Sequence, residues 1–315
     1  MQRVSLVGHG DRFDALVSLF QYTDVELQVW NHDKRKKSAL PKGVKVVELN
    51  ELAKTPLIFF SLPIAEVREV ARRLGDVVTG RHAIVHLSRN LERDTLKTVS
   101  QILREETPTH RFGFLTGPMR LSDVGNGLPG SGVCASTFPE IHEVVESALV
   151  SQMFRLYKSD DIVGAELAAA YCRVIAMACG VASELHLGHS IMATLFSRGL
   201  AEMGRFVVHK HGRERTTFGL AGSGNLFMDI GDSGSDDFQL GAEVMRLNSL
   251  DRKKISKSYG SRGDDLLELV ESLGALREDK KLALHILEVC HLIVSGEMLP
   301  SDALLHLMTL PTLVD

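Results

Sequence analysis

Short β-rich runs recur through the first half of the chain: RVSLV (3–7), VELQVW (25–30), LIFFSL (57–62), HAIVHLS (82–88), FGFLTG (112–117) and SGVCAS (131–136). Between them lie stretches with the spacing of an amphipathic helix, such as AEVREVARRLG (65–75) and FPEIHEVVESALVSQMF (138–154). This alternation predicts a mainly parallel, doubly wound sheet with helices on both faces. At Asp161 the pattern changes to a helical one, and VGAELAAAYCRVIAMACGV (163–181) is rich in alanine and apolar nearly all round, as expected of a buried central helix. The chain therefore reads as an α/β protein of two domains, a doubly wound domain over residues 1–158 and an all-α domain over 159–315. Glycine and serine gather in residues 219–241 and 256–263, which read as loops, and residues 299–315 read as a final helix and tail. Neither an internal repeat nor a low-complexity segment interrupts this plan.

The first strand leads into Gly8-His9-Gly10-Asp11-Arg12-Phe13 and then a helix, the context that a dinucleotide fingerprint of the Rossmann type requires. Phe13 stands where the third glycine normally lets helix and strand approach. Asp11 is expected at the helix N-terminus, where its carboxylate meets free backbone N–H groups and competes with a pyrophosphate. Arg12 is placed to compensate. After the second strand come Asn31, His32 and Asp33, then the basic run 34–37. An acidic residue at this point would hold the ribose of NAD, and a basic one the 2′-phosphate of NADP. The run reads most simply as a solvated loop and leaves NAD and NADP both open.

Further along, DIVGAELAAAYCRVIAMACGV (161–181), HLGHSIMATLFSRGLAEMGRF (186–206) and TTFGLAGSGNLFMDIGDSGSDDFQLG (216–241) follow one another, with VWNHD, FFSLPIAEVREV and LTGPMRLSDVGNGLPG upstream. In this order the motifs resemble NAD(P)-dependent glycerol-3-phosphate dehydrogenase, and agreement of so many is far more specific than any one of them. The resemblance implies hydride transfer between a nicotinamide and the carbonyl carbon of dihydroxyacetone phosphate, with a cation stabilising and protonating the oxygen. It places Gly8, Gly10, Asp11, Arg12, His32 and Pro63 on the cofactor side.

At the chemical positions the chain departs from that pattern. Where the resemblance implies a lysine six residues after Glu166 there is Cys172, followed by Arg173 in place of asparagine. A thiol is short and neutral near its free pKa, so it cannot replace an ammonium; the Arg173 cation is turned about 100° around the helix. A second implied lysine is Arg89, a poor proton donor, and it is followed by Asn90 rather than glycine. The aspartate after the GLAG turn is Asn225. The implied serine-arginine-asparagine that grips the substrate phosphate reads Ser235-Asp236-Asp237, and two carboxylates facing a phosphate dianion repel it. Arg89, Cys172 and Asn225 are thus degenerate catalytic positions, and Arg173, Ser235, Asp236 and Asp237 a degenerate phosphate site.

Other constellations carry less. HLGH (186–189) and KISKS (254–258) imitate the ATP-binding signatures of class I aminoacyl-tRNA synthetases, but lie in a helical region far from a first nucleotide-fold strand. The acidic positions Asp229, Asp232, Asp236 and Asp237 lack calcium-loop spacing and read as a solvated loop. His209 and His211 flank Lys210 without helical zinc spacing and read as surface histidines. Cys172 reads as a buried, inert thiol rather than one activated by Arg173. Arg198 reads equally as a cleft residue or a salt-bridge partner.

Composition changes this picture little. The chain has 315 residues, 44% hydrophobic and 24% charged, enough for two domains and a sizeable core. A net charge of −4 argues against a broad nucleic-acid surface. No apolar run reads as a membrane helix, and four scattered cysteines without a C-x-x-C pair fit reduced thiols in a cytoplasmic setting and no metal site. Two function classes follow. One is a family homologue that has lost chemistry and acts by binding a small nucleotide or a protein partner, expected by analogy to be a homodimer. The other is a working oxidoreductase on an uncharged or cationic substrate, with His186, His189 and Lys158 as acid–base candidates; unaltered glycerol-3-phosphate dehydrogenase activity stands behind both.

Overall fold

The computed structural model describes residues 2–32, 40–120, 123, 126–231, 234–279 and 281–309. They form two compact units, the first comprising Met1–Arg89 and Lys97–Glu166 and the second Asn90–Leu96 and Leu167–Asp315.

The first unit is built on an eight-stranded sheet. Its strands are β1 (Gln2–Gly8), β2 (Val25–Trp30), β3 (Lys45–Val46), β4 (Leu57–Ser61), β5 (Ala83–His86), β6 (Arg111–Thr116), β7 (Gly130–Ala135) and β8 (Phe154–Ser159). They lie in the order β3-β2-β1-β4-β5-β6-β7-β8. Every pairing is parallel except that of β6 with β7. Side chains of a strand alternate between faces, and the core divides accordingly. Val4, Leu6, Leu57 and Phe59 join the cluster beneath α1 (Asp11–Phe20) and the helix Pro139–Leu149, here α4. Val7, Ile58, Phe60 and Ile84 join the cluster beneath α2 (Ile64–Gly75) and α3 (Val99–Glu106). The expected doubly wound sheet is present, with all six anticipated strands.

Two strands were not anticipated from the sequence. Helix α4 ends at Leu149 rather than running to Phe154, and FRLYKS becomes β8 with alternating buried and exposed residues along its first four positions. Ser151 turns the chain there, bonding Phe154 through both backbone groups. A two-residue edge strand, β3, is too short for any periodicity to signal.

The second unit is helical: α5 (Ile162–Glu184, whose first turn belongs to the first unit), α6 (Gly188–His209), α7 (Asn225–Ile230), α8 (Asp236–Leu247), α9 (Arg252–Leu273), α10 (His285–Ser295) and α11 (Ala303–Thr309). Contrary to the sequence expectation, α5 is long and apolar enough to cross a membrane by length and composition, but 89% of its most apolar window is buried inside the protein. The two stretches read as loops are also largely helical. Asp251 caps α9, its carboxylate accepting from the backbone N–H of Lys253 and Lys254 at 2.9 and 3.2 Å, and the helix passes Gly260 through a kink at φ 57°. Residues 219–241 hold a π-helical turn (Leu220–Gly224), α7 and the start of α8.

Two glycines let α5 and α8 touch backbone to backbone. A Cβ on Gly180 would lie 1.9 Å from the Phe238 carbonyl oxygen, and one on Gly241 2.0 Å from that of Met177. Nearby, the buried Glu202 carboxylate accepts from Tyr171 Oη at 2.7 Å and from two N–H groups in the first turn of α10, Ile286 and Leu287, at 2.9 Å each. Burial raises its pKa against these hydrogen bonds, and burial together with Glu202 raises the Tyr171 phenol.

Gly241→Ala is expected to destabilise the protein although alanine gains roughly 1 kcal/mol in helix propensity. The new Cβ meets backbone rather than a movable side chain, and overpacking of this kind costs about 1–3 kcal/mol. Urea denaturation reads the difference; a neutral or stabilising result would mean the helices can part freely.

Candidate functional site

In the first unit the phosphate-side turn is shaped by two glycines. Gly8 has φ 124°, and a Cβ there would come within 1.8 Å of the Ser61 carbonyl oxygen. Only glycine lets β1 and the end of β4 approach so closely. Gly10, with φ 96°, is the N-cap of α1 and faces open space, as close backbone approach to a pyrophosphate requires. Asp11 follows as the first helical residue and is exposed. Arg12 donates to the Leu87 carbonyl at 3.0 Å. Phe13 is 1% exposed and turned inward into the core beneath α1, so it does not line the turn.

Opposite this turn, Pro63 is the N-cap of α2, and Glu66 sits in that helix's first turn. Its Oε2 lies 2.9 Å from His9 Nε2 and 2.8 Å from His32 Nε2. The two imidazoles stack at 5.8 Å. Sequence reading assigned His32 to the cofactor side but overlooked His9 and Glu66, which are far apart along the chain. The signal lies in the register. Val7 pairs with Trp30, so His9 and His32 each follow a paired residue by two positions at the same end of parallel neighbours. Asp33 and the basic run 34–37 lie outside the described residues.

A buried carboxylate fixes the start of α5. Glu166 accepts from Ser100 N at 2.9 Å and Ser100 Oγ at 2.6 Å, while His86, fully buried and stacked on Phe114, brings Nε2 to 2.9 Å. Ser100 stands in the first turn of α3, where an anion is favoured by the helix dipole. Arg89, three residues beyond β5, is buried.

In the second unit, six residues along α5 from Glu166, Cys172 is completely buried. Its Sγ donates to the Gly222 carbonyl at 3.3 Å and lies 4.0 Å from that of Ala221. Asn225, also fully buried, donates Nδ2 to the same Ala221 carbonyl at 2.9 Å. The thiol and the amide that replace the implied lysine and aspartate thus share one backbone acceptor. The π-helical turn between them is held tight at Gly222, where a Cβ would meet the Thr217 carbonyl oxygen at 2.1 Å.

Arg173 is committed elsewhere. Its guanidinium forks onto Asp237, Nε to Oδ2 at 3.0 Å and Nη2 to Oδ1 at 2.9 Å, and Nη2 also donates to the Arg262 carbonyl at 2.8 Å. The two side chains are 9% and 13% exposed, so the pair is well shielded. Ser235 caps α8 by accepting from Phe238 N at 3.3 Å. Asp236 pairs with Arg262 at 2.6 Å, at the surface. All four predicted phosphate-side residues are brought together, but the expectation of two bare carboxylates is corrected: each carboxylate already has its own arginine. The solvated-loop reading is likewise corrected for Asp229, which is 2% exposed in α7; Asp232 lies outside the described residues.

Lys158 of β8 pairs with Glu146 at 2.6 Å, and His186 and His189 are exposed at the start of α6. His209 and His211 are exposed too, Arg198 is half-buried in α6, and the KISKS lysines open α9, where Lys254 pairs with Glu243.

Comparison with known proteins follows this division. Residues 9–142 match the family model described as NAD-dependent glycerol-3-phosphate dehydrogenase N-terminus, and residues 161–305 its C-terminus. A glycerol-3-phosphate dehydrogenase (NAD(P)+) of Sinorhizobium fredii is 32% identical over 277 residues, covering 87% of this chain and 80% of the relative. One of Rhizobium etli is 31% identical over 281 residues, covering 87% and 82%. In fold, the chain is similar to the crystal structure of glycerol-3-phosphate dehydrogenase from Coxiella burnetii, with a TM-score of 0.88 at 23% identity, covering 98% of this chain and 99% of that one.

All four cysteines are buried. Burial pushes the thiols of Cys134 and Cys179 up to about 12, and that of Cys290 higher still. The native protein should therefore be inert to Ellman's reagent at about pH 8, where a free cysteine reacts, and release all four equivalents on denaturation. Rapid labelling of one native thiol, absent in Cys172→Ser, would show Cys172 to be reactive.

Proposed function

The chain belongs to the NAD-dependent glycerol-3-phosphate dehydrogenase family, and from that premise we propose that it keeps a dinucleotide crevice while having lost reduction of a phosphorylated ketone, acting by binding rather than turnover. The observation that carries this reading is the Arg173–Asp237 fork beside a buried Cys172. Where the family resemblance calls for an ammonium to stabilise the carbonyl oxygen, the side chain is a neutral thiol turned onto the Gly222 carbonyl. The Arg173 guanidinium beside it is bidentate to a carboxylate of its own chain. A substrate phosphate would have to break a shielded, charge-assisted fork before gaining any contact there.

On the cofactor side the residues fit a dinucleotide in part. Gly8 and Gly10 give the backbone its close approach and expose the start of α1 to a pyrophosphate. Asp11 opposes it, and Arg12 is held at the Leu87 carbonyl. A bound nicotinamide would supply hydride chemistry; among the residues of this chain, Gly8, Gly10 and the end of β2 would bind and orient it. Loss of one stabilising group commonly costs about 10²–10³ in rate, and the lysine, aspartate and phosphate-gripping arginine are all changed in kind. Their effects need not add.

Two measurements test the proposal. NADH-dependent reduction of dihydroxyacetone phosphate is expected to fall at least about 10³-fold below that of a lysine-bearing relative assayed alongside; a comparable rate refutes the loss of chemistry. NAD or NADP, oxidised or reduced, should raise thermal stability, by about 2.7 kcal/mol at a hundred times its Kd. Should none of the four do so, the crevice no longer binds and the protein-partner alternative replaces this reading.

A double-mutant cycle tests the electrostatics. Cys172→Lys alone buries an ammonium among backbone carbonyls and should destabilise by about 3 kcal/mol. Adding Asn225→Asp should restore at least about 1 kcal/mol of that through direct coupling. Strict additivity in urea denaturation would separate the two positions.

A further inference from the structure

We propose that His9, His32 and Glu66 form a binding site for a divalent transition-metal ion of the zinc type in the first unit. The three ligand atoms, two imidazole nitrogens and one carboxylate oxygen, lie within 4.8 Å of one another. Both nitrogens are Nε2, and both converge on the same oxygen, Glu66 Oε2, at 2.9 and 2.8 Å. In the metal-free protein each ring can hold that contact by donating its Nε2–H. A cation binds the same three atoms when each ring carries its proton on Nδ1 instead, leaving the Nε2 lone pair as the ligand. Tetrahedral ligation at about 2.0–2.2 Å separates ligand atoms by roughly 3.4 Å, so each nitrogen–oxygen gap would widen by about half an ångström and the two nitrogens would settle at the same separation from one another.

Ligand chemistry selects the ion. Two imidazoles with one carboxylate suit borderline cations such as Zn2+ and Co2+, whereas Mg2+ and Ca2+ take oxygen-rich sites. Three protein ligands leave a fourth position for water or an anion, the arrangement of an open zinc site. Access is consistent with loading from solution, since the histidine side chains are 12% exposed and Glu66 23%.

The supports are rigid. His9 is held between two glycines of positive φ, with its N–H on the Ser61 carbonyl at 3.1 Å. His32 follows the end of β2, and Glu66 stands in the first turn of α2, its N–H on the Pro63 carbonyl at 3.0 Å. A metal would therefore cross-link the glycine turn, the end of β2 and the start of α2. This inference does not rest on the proposed loss of dehydrogenase chemistry, because none of its three ligands belongs to the second unit.

The experiment uses the full chain, purified without a histidine tag, stripped with chelator and titrated with Co2+ alone and then Zn2+ alone. With 13 histidines in the chain, weak surface binding must be separated from the site. The expected result is one tight ion per chain, with the visible absorption of low-coordinate Co2+ displaced by Zn2+. Affinity should fall by at least about a hundredfold in His32→Gln and in Glu66→Gln, but hold in the His209→Gln/His211→Gln double variant. Zinc should raise the melting midpoint of the wild type and of that control only. Absence of stoichiometric binding overturns the proposal, as does binding that survives in both site variants. If either variant fails to fold, anomalous diffraction from zinc-soaked wild-type crystals decides: a peak among His9, His32 and Glu66 supports the site, and its absence there overturns it.

Discussion

A guanidinium on a central, apolar helix can be buried only if a carboxylate meets it, and the pairing of Arg173 with Asp237 is the interaction on which the candidate substrate site turns. Removing either partner would leave the other desolvated and unmatched, at a cost of about 3–5 kcal/mol. The fork therefore fixes how the start of α8 meets α5. The Gly180 and Gly241 contacts with Phe238 and Met177 hold the same two helices at backbone distance, leaving little room for either side chain to turn toward a ligand. The ion pair at the surface, Asp236 with Arg262, is of a different kind: half in water, it contributes little to stability but still occupies the remaining carboxylate.

The first unit obeys another constraint, the parallel register of β1, β2 and β4. Because Val7 aligns with Trp30 and Gly8 with Ser61, everything that follows those strands emerges at one end of the sheet. That is the crevice where an open parallel sheet collects its ligands. The glycine turn, His32, Pro63 and Glu66 meet there through topology rather than through any local sequence motif. The same sheet end also receives Glu166, whose carboxylate closes the start of α3 through Ser100 and thereby sets where α5 begins.

How much of this was legible in the sequence depended on whether a pattern was local. Strands such as LIFFSL and the apolar helix VGAELAAAYCRVIAMACGV declare themselves, because burial on both faces of a sheet or all round a helix leaves no polar position. The glycine turn and the substituted positions Cys172, Arg173, Asn225 and Ser235 to Asp237 were legible through family resemblance, and the structure does gather the phosphate-side set. Residues 256–263 were misread because serine and glycine suggest a loop, whereas the Asp251 cap carries the helix into them and Gly260 absorbs the bend. FRLYKS was misread because it directly follows a helical stretch, and its period of two spans only a few residues. The partners of Asp237 and the triad of His9, His32 and Glu66 were not legible at all. Each joins residues more than twenty positions apart, and no spacing rule connects them.

The departures at the substrate site are also not independent of one another. The family resemblance implies a lysine where Cys172 stands and an aspartate where Asn225 stands, and here both side chains address the Ala221 carbonyl. Losing the ammonium alone would strand a buried carboxylate, and losing the carboxylate alone would strand a buried ammonium; a neutral thiol with a neutral amide avoids both costs. At the neighbouring position the pairing is charged instead, Arg173 being matched by Asp237. Two compensated pairs, one neutral and one charged, therefore line this part of the second unit. An unmatched charge in this interior would carry the desolvation cost that both pairings avoid, so the folded state by itself constrains which residues these positions accept.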